Sequence, residues 1–146
     1  MAAMQATHNP PLTASDTGMT PAELLRGAAL YLQHRGWTTH QFYDLVGGDA
    51  GPFPPACAVG ALYVAAYGNI RLFIYDQLAK PGDAVRAAGR FFAAYLDPEY
   101  DTTGTTYIDV ISDWNDFEGQ TLADVIEALT DAATEWDGIH CAGGAR

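Results

Sequence analysis

The residue with the most reactive side chain in this sequence is a cysteine, Cys57, near the start of an apolar segment. The pattern around it predicts a helix over 56–67, with Cys57 at about its second or third position. Free amides and the macrodipole at a helix N-terminus stabilise a thiolate, the reactive form of cysteine. The sequence therefore makes Cys57 a candidate nucleophile for acyl transfer or amide hydrolysis.

A cysteine nucleophile needs a base and a group that orients that base. Two histidines, His34 and His40, are the candidate bases. Asn115 or Asp116 is the candidate orienting group. The alternative is an inert core position, because free cysteine is among the most buried residue types. No motif typical of cysteine hydrolases surrounds Cys57, so core packing is the favoured interpretation.

Aromatic residues beside polar ones form a second candidate site, for a ligand or a partner protein. Trp114, Asn115 and Asp116 are consecutive and follow Asp113, and Trp37 is a further aromatic candidate. The alternative is structural: Trp114 fills the core, and the two residues after it make turn hydrogen bonds ahead of the last helix. We favour the structural alternative, because Asn and Asp are frequent at turns.

The sequence predicts no metal site and no cofactor. Acidic residues alternate over 97–101 as in a calcium loop, but Thr102 replaces the required glycine and Ile108 replaces the bidentate glutamate. His140 and Cys141 are adjacent, which is not a spacing that zinc sites use. The chain also has no Cys-x-x-Cys, His-Glu-x-x-His, phosphate-loop or dinucleotide-binding motif.

Composition limits the classes of partner. Of 146 residues, 18 are acidic and 7 are basic, which makes the net charge −11. This charge favours solubility and repels phosphate backbones and anionic lipid, so we expect neither direct nucleic-acid binding nor membrane binding. It favours a basic protein as partner. The two cysteines are too few for a disulfide framework and no secretory or membrane-spanning segment is evident, so the expected location is the cytoplasm.

Helix signals determine where these candidates lie. Thr20-Pro21-Ala22-Glu23 is a capping box that begins a first helix. Gly36 is predicted to end that helix in the left-handed conformation, with Trp37 closing over its last turn. Gly60 and Ala61 are expected to let a neighbouring helix approach closely. Further helical segments are predicted at 40–46 (a short turn), 56–67, 72–78, 84–96 with Asp83 as cap, 107–114, and from a weaker capping box at Thr121–Asp124.

These segments predict an all-α fold, a compact bundle of about five helices within one domain over residues 20–137. Residues 107–114 have strand-like composition, but their helical neighbours favour a helix. Residues 1–19 show no periodicity and are predicted to be a disordered leader. Residues 138–146 are predicted to be a flexible tail.

The order of four short motifs resembles a known family. They are His-Arg-Gly-Trp at 34–37, Cys-Ala-Val-Gly-Ala-Leu at 57–62, Trp-Asn-Asp at 114–116, and the Thr-capped final helix from 121. A family of short actinobacterial and actinophage proteins of unknown function has similar motifs in the same order. The likeness covers about residues 20–136, with the loop 97–106 outside its motifs. That family has no assigned activity, so the resemblance implies a shared fold and no mechanism.

Three functions remain open. The first is a small acidic protein-interaction or regulatory protein without catalysis, which binds a basic partner. The second is a cysteine-dependent enzyme that uses Cys57 for acyl transfer or amide hydrolysis. The third is an acidic nucleic-acid mimic that blocks a DNA-binding protein. The charge permits a mimic, but the acids lie scattered over loops and helix ends rather than in rows.

Overall fold

The computed structural model describes residues 18–46, 51–68, 83–101 and 104–144, with the side chains at 83 and 141–144 left aside. In these ranges the helices are α1 (Pro21–Arg35), α2 (Ala58–Tyr67), α3 (Asp83–Leu96), α4 (Tyr107–Asn115) and α5 (Leu122–Gly144). This part of the chain has no strand, and the predicted all-α bundle of about five helices is confirmed. The predicted helix over 72–78 and the predicted leader, up to residue 17, lie outside the described residues.

The helix α1 begins at the predicted capping box. Thr20 Oγ1 accepts a hydrogen bond from the Glu23 N–H at 3.1 Å, and Glu23 Oε1 accepts one from the Thr20 N–H at 2.9 Å. At the other end Gly36 has φ 103° and ψ 165°, which is not the left-handed helical conformation that we predicted. The chain therefore leaves α1 in an extended direction, and Trp37 forms a bridge with Ala56.

The core is built around α1, which packs against α5 and α2. The helix α2 is buried along most of its length, as expected from its apolar sequence. A Cβ added at Gly27 would lie 3.1 Å from Ala65 Cβ, so this glycine sets the close approach of α1 and α2. None of the described helices is both long and apolar enough to cross a membrane. The largest fully buried hydrophobic side chains are Leu24, Leu25, Leu32, Val59, Leu62, Val85, Phe92, Ile111, Val125 and Leu129.

The predicted helical turn over 40–46 is wrong, because this segment pairs with the chain ahead of α2. The Cys57 N–H donates to Phe42 O at 2.9 Å, and the Asp44 N–H donates to Pro55 O at 2.9 Å. A proline favours an extended conformation in the residue before it, so Pro54-Pro55 holds its segment open for such pairing. His40 has φ 65°, which no right-handed helix accommodates.

Gly60, in the first turn of α2, lies directly against this paired segment. A Cβ at this position would come within 2.6 Å of Phe42 O and 2.9 Å of Tyr43 Cε1. A close approach does occur at Gly60, but the prediction that a helix makes it is wrong, because the neighbour is the extended segment at 42–43.

The last two helices, α4 and α5, lie where the sequence predicted helices. Residues 107–115 form the helix that we predicted despite their strand-like composition. The Asp124 N–H donates to Thr121 Oγ1 at 3.1 Å, which confirms the predicted cap of α5. This helix continues to Gly144, well beyond the boundary predicted at 137. The rings of Trp136 and His140, one turn apart, stack with 3.8 Å between their centroids. Gly138 lies between them, and a single glycine destabilises a helix by only about 1 kcal/mol relative to alanine, so the helix continues through it.

Candidate functional site

Asn115, the last residue of α4, is the centre of a polar network inside the bundle. Its side chain is fully buried. Oδ1 accepts hydrogen bonds from Trp37 Nε1–H at 2.8 Å and from the Ala58 N–H at 3.0 Å. Nδ2 donates to Thr38 O at 3.1 Å and to Asp116 Oδ1 at 2.9 Å. All four hydrogen-bonding positions of the amide are therefore occupied by protein groups.

Asp116 carries this network toward the surface. Its Oδ1 also accepts a hydrogen bond from the His40 N–H at 2.8 Å, and its Oδ2 lies 3.8 Å from His40 Nδ1. The histidine side chain is 75% exposed, so this end of the network meets solvent. The Asn115 network comprises Trp37, Thr38, His40, Ala58, Asn115 and Asp116.

Cys57 lies beside the network, as the N-cap of α2 rather than two or three positions inside the helix. Its Sγ accepts a hydrogen bond from the Gly60 N–H at 3.4 Å, and only 3% of the residue is exposed. Burial, with a smaller contribution from Asp116, raises the pKa of the thiol to about 11 despite the opposing N–H groups of Gly60 and Val59. Desolvation thus outweighs the stabilisation of a thiolate that the sequence suggested at this helix end.

A cavity of about 190 Å³ adjoins the Asn115 network. Its lining residues are His40, Gln41, Phe42, Cys57, Ser112 and Asp116. Three of the residues that the sequence suggested for catalysis thus meet at one place. His34 is not among them, because it is exposed in the last turn of α1 and does not line this cavity.

A larger cavity, of about 490 Å³, lies where the loop after α3 faces α4. We define it as the acidic cleft by its carboxylates and aromatic rings: Asp97, Glu99, Tyr100, Asp101, Asp113 and Trp114. The Trp114 ring is held in place by an edge-to-face contact with Phe92, with 5.6 Å between centroids. The Glu99 N–H donates to Asp97 Oδ1 at 3.0 Å, which orders the loop.

The structure therefore divides the Trp-Asn-Asp motif between two places. Trp114 lines the acidic cleft, whereas Asn115 and Asp116 belong to the buried network with Trp37. Carboxylates and aromatic faces together suit a guanidinium or ammonium group. In the described ranges no group of three or more His, Cys, Asp and Glu side chains has the geometry of a metal site.

In the sequence the acids over 97–101 were considered only as a calcium loop, so sequence prediction missed their contribution to the cleft. It also missed a neighbouring cavity of about 310 Å³ that contains two arginines. We define this arginine cavity by Arg86, Arg90, Thr105, Thr106 and Tyr107. The spacing of four residues between the arginines was the available signal, because it places both on one face of a helix.

Comparisons with known proteins bear on the family of this chain. No curated protein and no solved structure matches it. The family of unknown function DUF6197 matches residues 16–135, which confirms the resemblance to a domain of unknown function. The match covers most of the 146 residues, and the chain therefore belongs to this family.

Proposed function

We propose that this domain is a non-catalytic interaction protein that binds a basic segment of a partner protein in the acidic cleft. One observation carries the proposal: four carboxylates and two aromatic side chains surround a single cavity of about 490 Å³. That volume lies within the range of about 300–1,000 Å³ that is typical of ligand pockets. Arginine and lysine side chains bind carboxylates through charge-assisted hydrogen bonds and stack on aromatic rings.

The charge of the whole protein supports the same proposal. A net charge of −11 attracts a basic partner from a distance and accelerates its association. Salt screens such attraction beyond about 10 Å at 0.1 M ionic strength. Binding in the cleft is therefore expected to weaken steeply as salt is added.

The cavity beside Cys57 supports the alternative of a cysteine-dependent enzyme, because His40 and Asp116 line it together with the thiol. The raised pKa of Cys57, about 11, argues against this alternative. At pH 7 such a thiol is ionised in only about one molecule in ten thousand, and the thiolate is the nucleophile. We therefore favour the interaction protein over the enzyme.

Isothermal titration calorimetry with a blocked peptide of three Arg-Gly repeats tests the proposal on the full chain. We expect a dissociation constant below about 100 μM at 50 mM NaCl and at least about ten-fold weaker binding at 300 mM. The double variant Glu99→Gln/Asp113→Asn should weaken binding at 50 mM by about ten-fold or more, since each charge-assisted contact is strong.

A matched control separates the cleft from the overall charge. Glu118 is exposed and does not line the cleft, and Glu118→Gln removes a carboxylate as each of the two cleft substitutions does. This control should leave the dissociation constant within about two-fold of the wild type, because its charge is screened. Equal weakening per charge removed in both variants, or no binding at 50 mM NaCl, would contradict the proposal.

A further inference from the structure

The arginine cavity stands out in a protein with few cations. Two of its seven basic residues, Arg86 and Arg90, line this one cavity between α3 and the start of α4. Their spacing of one helical turn places both side chains on the same face of α3. Guanidinium groups bind carboxylates and phosphates through paired hydrogen bonds, so two of them together suit an oxyanion.

Packing fixes the wall of this cavity. A Cβ added at Gly89 would collide with the ring of Tyr107, so this glycine, between the two arginines, lets the tyrosine lie directly on α3. Burial raises the pKa of Tyr107, while Arg86 and Arg90 lower it, as expected if both guanidinium groups lie near the phenol. The two arginines therefore extend from a helix and line a cavity whose wall includes the closely packed ring of Tyr107.

The arginine cavity and the acidic cleft share a wall. Tyr100, Gly104 and Thr105 line both of them. An anion alone would enter the arginine cavity against the cleft carboxylates and a net charge of −11. An anion that arrives together with a cation in the cleft meets less of this repulsion, because the cation offsets part of the charge of the nearest carboxylates.

We infer that the partner segment carries both charges: a basic side chain that fills the acidic cleft, and a carboxylate or phosphate group nearby in the same peptide that binds Arg86 and Arg90. This inference rests on the proposed function and adds the chemical class of the partner. The adjacency of the two cavities, through their common wall, is the observation that carries it.

Three sets of blocked peptides test the inference by calorimetry with the full chain. Each peptide contains two Arg-Gly repeats and, one, two or three residues after them, a serine, a glutamate or a phosphoserine. The three spacings vary the distance between the basic and the anionic side chain, because an extended residue spans about 3.3 Å. At one spacing we expect the anionic peptides to bind at least about five-fold more tightly than the serine peptide, because the arginines add charge-assisted hydrogen bonds. Comparison of glutamate with phosphoserine identifies which oxyanion the cavity prefers.

Variants assign this gain to the arginine cavity. Arg90 is exposed, and Arg90→Gln should abolish the five-fold gain while the serine peptide binds within about two-fold of its wild-type affinity. Arg35 lines neither cavity, so Arg35→Gln should retain the gain after the same change of charge. Thermal unfolding of both variants verifies that they fold.

The failures are distinguishable. If the serine peptides bind and the anionic ones bind more weakly at every spacing, the net charge alone governs affinity and the inference is overturned while the proposed function stands. A gain that persists in Arg90→Gln also overturns it. If none of these peptides binds, the inference is overturned, and the peptide of three Arg-Gly repeats at 50 mM NaCl decides whether the proposed function stands.

Discussion

The Asn115 network and the acidic cleft lie on the same helix, and consecutive residues contribute to them. Trp114 lines the cleft, whereas Asn115 is fully buried and bonded at every polar position. Asp113, on the cleft side, is exposed. One turn of α4 thus presents a closed polar cluster to the core and an open charged surface to solvent.

The two regions differ in how much their polar groups contribute to stability. A buried polar group that loses its partner costs about 1–3 kcal/mol, so the network contributes to the free energy of unfolding. Exposed carboxylates are hydrated and contribute little to that free energy. We expect substitutions in the network to change stability and substitutions in the cleft to change binding.

The largest expected effect is that of Asn115→Ala. It leaves Trp37 Nε1–H, the Ala58 N–H and Thr38 O without their bonded partner, and we expect a loss of about 4 kcal/mol in the free energy of unfolding. Urea denaturation at pH 7 measures this loss. The control Asp113→Asn, two residues earlier on the exposed side, should change the same quantity by no more than about 0.5 kcal/mol.

Similar losses in these two variants would remove the distinction between the network and the cleft. A loss below about 1 kcal/mol for Asn115→Ala would mean that water takes over the hydrogen bonds of the amide, in a site that is not closed. The second result would make the Asn115 network a candidate ligand site again.

Local signals explain which parts of the fold were predictable from the sequence. The caps at Thr20 and Thr121 depend on residues three positions away, and both are confirmed. The role of Asn115 depends on Trp37, 78 residues away, and no local pattern specifies that pairing. The same reason accounts for the wrong helical turn at 40–46, whose hydrogen bonds go to the residues ahead of α2.

The acidic cleft could not be predicted from the sequence for a related reason. Alternating acids over 97–101 are compatible with an ordinary solvated loop, and only the position of that loop against α4 encloses a cavity. Trp114 was a candidate binding residue in the sequence, but its distance along the chain from the loop concealed their proximity. The fold, rather than any local pattern, therefore determines which of the candidate residues lie together.

Gly60→Ala is a steric test of the paired segment behind the network. Its new Cβ would lie 2.6 Å from Phe42 O, a backbone atom that cannot rotate away, so we expect a loss of about 3 kcal/mol in urea denaturation. Gly138→Ala is the matched control, because no atom outside its own helix lies within 4 Å of the new Cβ. Alanine is a better helix former than glycine, so this control should raise the free energy of unfolding by about 0.5–1 kcal/mol. If Gly60→Ala left the free energy of unfolding unchanged, the segment 42–43 would have to move easily away from the added Cβ.

The pH dependence of stability tests the burial of Cys57. Its pKa rises from 9.0 to about 11 on folding, so the folded state favours the neutral thiol. Below pH 9 this preference does not lower the free energy of unfolding. As pH rises from 9 toward 11 that free energy falls, by about 2 kcal/mol at pH 10.5. Urea denaturation of a Cys141→Ser background at pH 7.5 and 10.5 measures the loss. Cys57→Ala in the same background should lack it, which separates the thiol from tyrosines that titrate in the same range.

Asp116→Asn has the smallest expected effect on stability, and it also tests how Asp116 affects the thiol of Cys57. Asparagine still offers Oδ1 to the His40 N–H and to Asn115 Nδ2, so only the strengthening of these two bonds by the charge is lost, about 1 kcal/mol in the free energy of unfolding at pH 7. The carboxylate of Asp116 helps to raise the pKa of Cys57, so the variant should also lower the pKa of that thiol. Thiolate absorbance against pH, in the Cys141→Ser background, measures this second effect. A changed stability with an unchanged thiol pKa would show that the charge of Asp116 acts on its hydrogen-bond donors, His40 and Asn115, and that Cys57 is electrostatically separate from the network.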